Sequence, residues 1–389
     1  METRRSRTRG IVDEGVEHDA MAFAAGPSTF DVTSLNLFEH CRFLKSVGRG
    51  LMVLIVGSLV TLSTHSVLSL AVLPGAKSQP GLYLVGLIYM GVISMICWCY
   101  WRTMMDDPGV VVSYEPFASQ ADGHPLHHVP TRLLGNASFR QHMTHTYTEN
   151  LRSDMVRAAK SAHATGREKR MALAYAYETR PRWCKKCNRW KPPRSHHCSM
   201  MGACVLKMDH YCVWMGNTIG LLNYRSFVLF LWWTFLGCAM SAVMLFRPSV
   251  RFVRGDTSAL GPTASVERIV AGILGFVTFV FTAAFTLALI GFLVMHWSLM
   301  ARNMTTIEAY EKRNVEPWPW NAGTWRENVG QVFGAGRAGP TSALRRWGRT
   351  LAPGYSAGER ERLINTYGHA RHTIDVADFV ESVGMMEVV

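Results

Sequence analysis

The sequence predicts an all-α polytopic membrane protein with four transmembrane helices and a cytosolic cysteine-rich domain between the second and third. Three observations predict it. Apolar residues fill 48% of the 389 positions against 18% charged, and they are gathered into runs, which favours a membrane protein over one large soluble core. Four of those runs are long enough to cross a hydrocarbon layer of about 30 Å as helices. Five of the nine cysteines fall within residues 183–227, between the second run and the third.

Residues 1–50 are polar and open METRRSRTRG. No apolar stretch follows the arginines as a signal peptide requires, and no Gly follows Met1 for myristoylation. The segment reads as a cytosolic N-terminal tail, with Leu35 to Val47 a short juxtamembrane helix. Residues 51–101 hold the first two spans, Leu51 to Leu73, interrupted by Thr64-His65-Ser66, and Leu82 to Trp101. A cytosolic linker, 102–182, opens on Asp107-Pro108-Gly109, which stops a helix. Within it, residues 112–140 read as loop and 148–178 as helix with a break at Gly166. The cysteine-rich segment is 183–227. Residues 228–300 complete the spans, read as Phe227 to Phe246 and Ile269 to Trp297. Trp98, Trp101, Trp232, Trp233 and Trp297 lie near span ends, where indoles anchor at the interface. Residues 301–389 form a C-terminal tail, without a CaaX ending and without repeats.

Lysine and arginine set the orientation. There are 18 from Arg102 to Arg225, 11 from Arg302 onward and 7 in the first 50 residues. The link between the first two spans has only Lys77, and that between the last two has Arg247, Arg251 and Arg254, with Arg268 at its edge. Both termini and the cysteine-rich domain are therefore expected in the cytosol, where thiols stay reduced and the sequons at Asn136 and Asn303 stay unglycosylated. The net charge of +13 meets no basic recognition motif. It is read as suited to anionic lipid and acyl-CoA phosphates, not to nucleic acid.

Cys184 and Cys187 form a C-x-x-C knuckle, and His197 and Cys204 follow at spacings that suit a four-ligand zinc site. The competing reading, a redox dithiol, lacks a βαβ context. Spacing alone does not choose between His196 and His197, and it leaves Cys198 open. Asp209-His210-Tyr211-Cys212 comes next. If extended, it puts His210 and Cys212 on one face and Tyr211 on the other. A base then sits beside a thiol, which needs help because its free pKa is about 8.5. A buried structural cysteine beside a second metal site fits that spacing equally well.

These residues resemble the cysteine-rich domain of the DHHC-type protein S-acyltransferases, or palmitoyltransferases. The family pattern is met at Cys184, Cys187, Lys191, Pro192, Arg194, His197, Cys198, Cys204, Asp209, His210, Cys212, Trp214, Asn217, Gly220, Asn223, Tyr224 and Phe227. Asp107, Pro108 and Gly109 resemble the family's DPG motif. Thr305, Thr306 and Glu308 resemble its TTxE motif, and Asn328 the asparagine of its C-terminal segment. The chain departs at Met201 for Cys, Tyr211 for the second His, Val213 for Pro, Gly216 for Asn and Thr218 for Cys.

The resemblance implies two zinc sites in the family. The first, Cys184, Cys187, His197 and Cys204, is intact here. The second would use Cys198, Met201, Tyr211 and Thr218, three of which are poor ligands, so one ion is expected. A packed cluster of Tyr211, Met201 and Val213 is expected to hold the loop instead. The resemblance further implies a membrane enzyme of the Golgi, endoplasmic reticulum or plasma membrane, acting on membrane-associated proteins. Cys212 would take a long-chain acyl group, such as palmitoyl, from acyl-CoA and pass it to a substrate cysteine, with His210 as base and Asp209 as its orienting carboxylate. Lys207, Arg194 and Arg225 are expected at the CoA phosphates and Trp214 along the acyl groove. The alternative is a catalytically silent scaffold; a channel with a zinc domain fits less well, because the spans carry no charged or broken helix.

Overall fold

The computed structural model describes residues 42–76, 79–112, 178, 182–255, 266–311, 318–333 and 353–368. The readings of residues 1–41, of the loop and helix between 113 and 177 with the sequon at Asn136, and of most of 335–389 lie outside the described residues. Residues 45–389 make up one compact unit and 1–44 another, of which the described part is the first turn of α1.

Span 1 is α1 (Arg42–Val67), running into a π-helical turn (Leu68–Val72) and a short α2 (Leu73–Ala76). The helix passes through Thr64-His65-Ser66, which interrupt only the apolar run. The Thr64 hydroxyl satisfies itself on the Val60 carbonyl at 2.8 Å, and Ser66 meets Thr278 of span 4 at 3.3 Å. Hydroxyls in a span are tolerated when they bond back along the helix or across to a neighbour. Ser63 does the latter, joining Tyr89 and Ser241 at 3.2 and 3.1 Å.

Spans 2, 3 and 4 are α3 (Gly81–Met105), α4 (Tyr224–Val253) and α5 (Val266–Ala301). All are longer than their apolar runs. Span 3 continues through Arg247, Pro248 and Arg251, because polarity ends the membrane-buried stretch without ending the helix, and long cationic side chains reach water from its end. α4 packs along both α5 and α3. Gly237 allows the second approach: a Cβ there would stand 2.8 Å from Ile96.

The cysteine-rich domain is three two-stranded antiparallel hairpins: β1 (Arg182–Cys184) with β2 (Arg189–Lys191), β3 (His196–Cys198) with β4 (Ala203–Val205), and β5 (His210–Cys212) with β6 (Asn217–Ile219). Such small hairpins bury too little to stand alone; here they are tied to the end of span 2. Asp107 folds the chain by accepting the Gly109 and Val110 amides at 2.9 and 3.0 Å. Gly109, at φ +102°, passes its carbonyl to Leu206 N, and Pro108 O takes Leu222 N. The Asn217 amide group donates to the carbonyls of Thr103, Met104 and Asp106 at 3.0–3.1 Å, satisfying the C-terminal end of α3. Gly220 is required by close approach, since a Cβ would lie 2.5 Å from Val205 and 2.6 Å from the Pro108 carbonyl.

After span 4 come α6 (Thr306–Glu311), α7 (Trp325–Phe333) and α8 (Ala357–Gly368). Each starts with a capping box, in which a hydroxyl and a glutamate three residues on exchange bonds with each other's amides: Thr305 with Glu308, Thr324 with Glu327, Ser356 with Glu359.

Candidate active site and metal centre

Cross-strand register makes the metal centre. His197 and Cys204 face each other across β3–β4, and the β1–β2 turn brings up Cys184 and Cys187. The four ligand atoms all lie within 4.8 Å of one another. Cys187 and Cys204 sulfurs are 3.8 Å apart, and His197 Nδ1 is 3.5 and 3.1 Å from the sulfurs of Cys184 and Cys187. Two thiolates each about 2.3 Å from a tetrahedral zinc would be about 3.8 Å apart, so the donor set fits that ion. Strand alternation turns His196 and Cys198 to the other face, which separates the two histidines that spacing could not.

Cys198 packs with Val205, Met208, Met200, Met201, Tyr211 and Ile307. This cluster includes Cys198, Met201 and Tyr211, three of the four positions at which the resemblance implies a second metal. The fully buried Thr218 completes it, donating its hydroxyl to Cys198 Sγ at 3.0 Å. Tyr211 and Thr218 are register partners in β5–β6, so the hairpin turns both away from the face that carries His210 and Cys212. Val213 departs from the expectation. It is 59% exposed on the hairpin turn and takes no part in the cluster.

On the opposite face of β5, His210 Nδ1 is 2.7 Å from Asp209 Oδ2. Burial opposes a charge on this imidazole, but hydrogen bonds to Asp209 and Cys212 outweigh it and raise the pKa to about 9. Asp209 is buried and held at both ends. Its Oδ1 accepts the Thr306 amide at 2.8 Å and its carbonyl accepts the Thr306 hydroxyl at 2.6 Å. Cys212 is buried with Tyr100, Met215, Ile219, Phe227 and Leu231, where the hairpin meets spans 2 and 3. A base fixed by a carboxylate stands beside a thiol at the level of the span ends.

The expected phosphate ligands are placed otherwise. Arg194 is buried, and its guanidinium grips both Glu308 oxygens at 2.7 Å and the Asn303 carbonyl at 2.8 Å. Trp320 and Trp318 lie 5.3 and 5.9 Å from it. Glu308 in turn accepts the Thr305 amide. Burial would raise this carboxyl; Arg194 above all overcomes that and holds it near 2. The Lys207 ammonium is also buried, bonded to Asn303 Oδ1 at 2.8 Å, and burial with the neighbouring Arg194 lowers it to about 7. Arg225, in the first turn of α4, is buried under the Tyr355 ring at 5.6 Å. Arg194 and Lys207 join the hairpin domain to the segment after span 4, and Arg225 joins the start of α4 to the Tyr355 segment. Trp214 is 51% exposed at the hairpin tip, its carbonyl accepting the Tyr100 hydroxyl at 3.1 Å.

Asn328 ties α7 to the end of span 4, donating to Ala301 O at 2.8 Å and accepting the Ala322 amide at 2.9 Å. Asn303 is buried, its amide donating to Trp320 O and Gln331, which leaves no room for a glycan. The sequence reading missed the docking of residues 353–364. Tyr355 donates to Val332 O at 3.0 Å, Arg360 pairs with Asp106 at 3.3 Å, and Leu363 packs beside Leu206, Leu221 and Leu222. The Ser356-x-x-Glu359 capping box was the available signal.

The fold and site define a four-span membrane protein with a thiol–imidazole–carboxylate centre on a domain whose Cys/His cluster could hold a metal ion. Residues 177–313 match the family model described as DHHC palmitoyltransferase. The chain is 34% identical over 307 residues to probable protein S-acyltransferase 13 of Arabidopsis thaliana, covering 77% of this chain and 86% of that one. Against probable protein S-acyltransferase 14 of the same plant it is 32% identical over 339 residues, covering 86% and 93%. Palmitoyltransferase pfa3 of Aspergillus fumigatus is 43% identical over 141 residues, 35% of this chain and 24% of its own. The chain belongs to the DHHC palmitoyltransferase family.

Proposed function

We propose that the chain is an integral membrane enzyme that moves a long-chain acyl group, such as palmitoyl, from acyl-CoA to cysteines of membrane-associated proteins. The observation that carries this is the Asp209–His210–Cys212 unit, with a 2.7 Å carboxylate–imidazole bond and the thiol within hydrogen-bonding reach of the same imidazole. Cys212 sulfur attacks the thioester carbonyl, its proton passing to His210. The bond to CoA sulfur breaks, and His210 returns the proton to that leaving sulfur. In the second half, a substrate thiol gives its proton to His210 and attacks the Cys212 thioester, and His210 reprotonates Cys212. Asp209 keeps the ring in one tautomer and stabilises its cation. Cys184, Cys187, His197 and Cys204 would hold one zinc, whose part is to lock the hairpins. A silent scaffold is disfavoured, since it has no need of a buried carboxylate aimed at a histidine beside a free thiol.

Purified protein given labelled palmitoyl-CoA should acquire hydroxylamine-sensitive label. Cys212→Ser should abolish it, and His210→Ala should lower its rate by on the order of 100-fold or more. Label that persists undiminished in Cys212→Ser would overturn the assignment of the nucleophile.

Both termini and residues 102–225 would face the cytosol of a Golgi, endoplasmic reticulum or plasma membrane, as the charge distribution supports. Cysteine labelling in sealed vesicles should reach a single cysteine placed in the 102–182 linker from the cytosolic side. Protection of that site from cytosolic reagent would defeat the topology and the mechanism together.

A further inference from the structure

A group of rings from spans 3 and 4 lies against His210 and has no part in the mechanism above. Phe227 of α4 meets the His210 ring edge-on at 5.1 Å and the His296 ring of α5 edge-on at 5.3 Å. The two imidazoles are 6.4 Å apart. Tyr224, the first residue of α4, packs on His296 at 5.8 Å, and its hydroxyl shares a 3.0 Å hydrogen bond with His296 Nδ1. His296 is 2% exposed and is the only titratable side chain of α5 beyond its first turn. A buried polar ring in a span is costly and marks a functional position more often than a structural one.

The geometry of His210 shows what such a cluster supplies. Its side chain remains 32% exposed, so burial does not immobilise it. The Asp209 bond fixes one ring nitrogen, and the other is aligned only by its contact with Cys212. The edge against Phe227 is a further constraint, one that acts on the plane of the ring and does not depend on the reacting thiol. Phe227 is itself wedged between His210 and His296, and His296 is fixed by Tyr224 across the α4–α5 seam.

We propose that Tyr224 and His296 are positioning residues for acyl transfer, which hold Phe227 and through it keep the His210 ring turned toward Cys212. This rests on the acyl-transfer reading above. It makes the precision of the base depend on the axial match of spans 3 and 4. A pair that served only to join the two helices would lower stability when broken and leave the chemistry alone.

The test is single-turnover self-acylation of the full chain in detergent with labelled palmitoyl-CoA, measured as a function of its concentration. Tyr224→Phe and His296→Phe should each slow the saturated rate by on the order of tenfold with the half-saturating concentration unchanged. The double variant should be no slower than the slower single, because both break one unit. His296→Asn should recover most of the rate, since an amide can meet the Tyr224 hydroxyl where Nδ1 stood. Saturated rates within about twofold of wild type, or losses that multiply in the double variant, would overturn the proposal, as would a loss confined to half-saturation. Tyr224→Phe removes a single oxygen, so it keeps the test decisive if the His296 variants fold poorly. A wild-type protein that takes no label overturns the acyl-transfer reading and this proposal with it. A labelled wild type with unaffected variants overturns this proposal alone.

Discussion

Arg194→Ala should cost about 3–5 kcal/mol of stability, the range for removing one partner of a buried ion pair. Both side chains are almost wholly buried, at 1% and 3% exposure, and the contact is 2.7 Å. The loss leaves the Glu308 carboxylate without its guanidinium and takes one of two donors from the Asn303 carbonyl, which keeps the Trp318 indole N–H at 3.1 Å. The double replacement Arg194→Met with Glu308→Leu should be less destabilising than either single change, because it strands no charge. Denaturation in detergent would check both, and a single-variant loss under about 1 kcal/mol, as for an exposed pair, would contradict the clamp. The same pair predicts acid sensitivity. The Glu308 carboxyl is held near 2 in the folded protein against an ordinary 4.5. Its contribution is therefore present above pH 4.5 and is lost as pH falls from there through about 2.

Cys187→Ala should empty the metal centre and unfold the three hairpins. A structural zinc contributes folding free energy on the order of 10 kcal/mol, more than three-residue strands can replace. Elemental analysis should give one zinc per wild-type chain and none in the variant. Tyr211→His should leave the ratio at one, since Met201 and Thr218 still stand where ligands would be needed. It should also destabilise the loop by placing a polar ring among Cys198, Met201 and Met208. A ratio near two in the wild type would contradict the packed cluster.

The spans and the metal centre were legible in the sequence because each depends on a local pattern: run length for the first, ligand spacing for the second. The alternation of His210 and Cys212 was legible for the same reason, as a strand of period two. What the sequence did not reveal was where long side chains end. Arg194, Lys207 and Arg225 read as contacts for the CoA phosphates. Their partners, Glu308, Asn303 and Tyr355, lie about 100 residues or more away, and no local pattern reports such a pairing. Val213 read as a filler of the lost metal site because it adjoins Cys212, yet the hairpin turn points it outward. Thr64-His65-Ser66 interrupt the apolar run, and how their hydroxyls are satisfied, one turn back or on another span, is invisible to a hydropathy count. The roles of Tyr224 and His296 appear only once spans 3 and 4 are side by side.

The central claim is that Cys212 carries the acyl group. The most direct measurement is to identify the acylated residue after one turnover, by peptide mass spectrometry of the full chain exposed briefly to palmitoyl-CoA. The account predicts one palmitoyl thioester, on the peptide containing Cys212, removed by hydroxylamine. A thioester on Cys198, Cys99 or another intrinsic cysteine with Cys212 unmodified would contradict it.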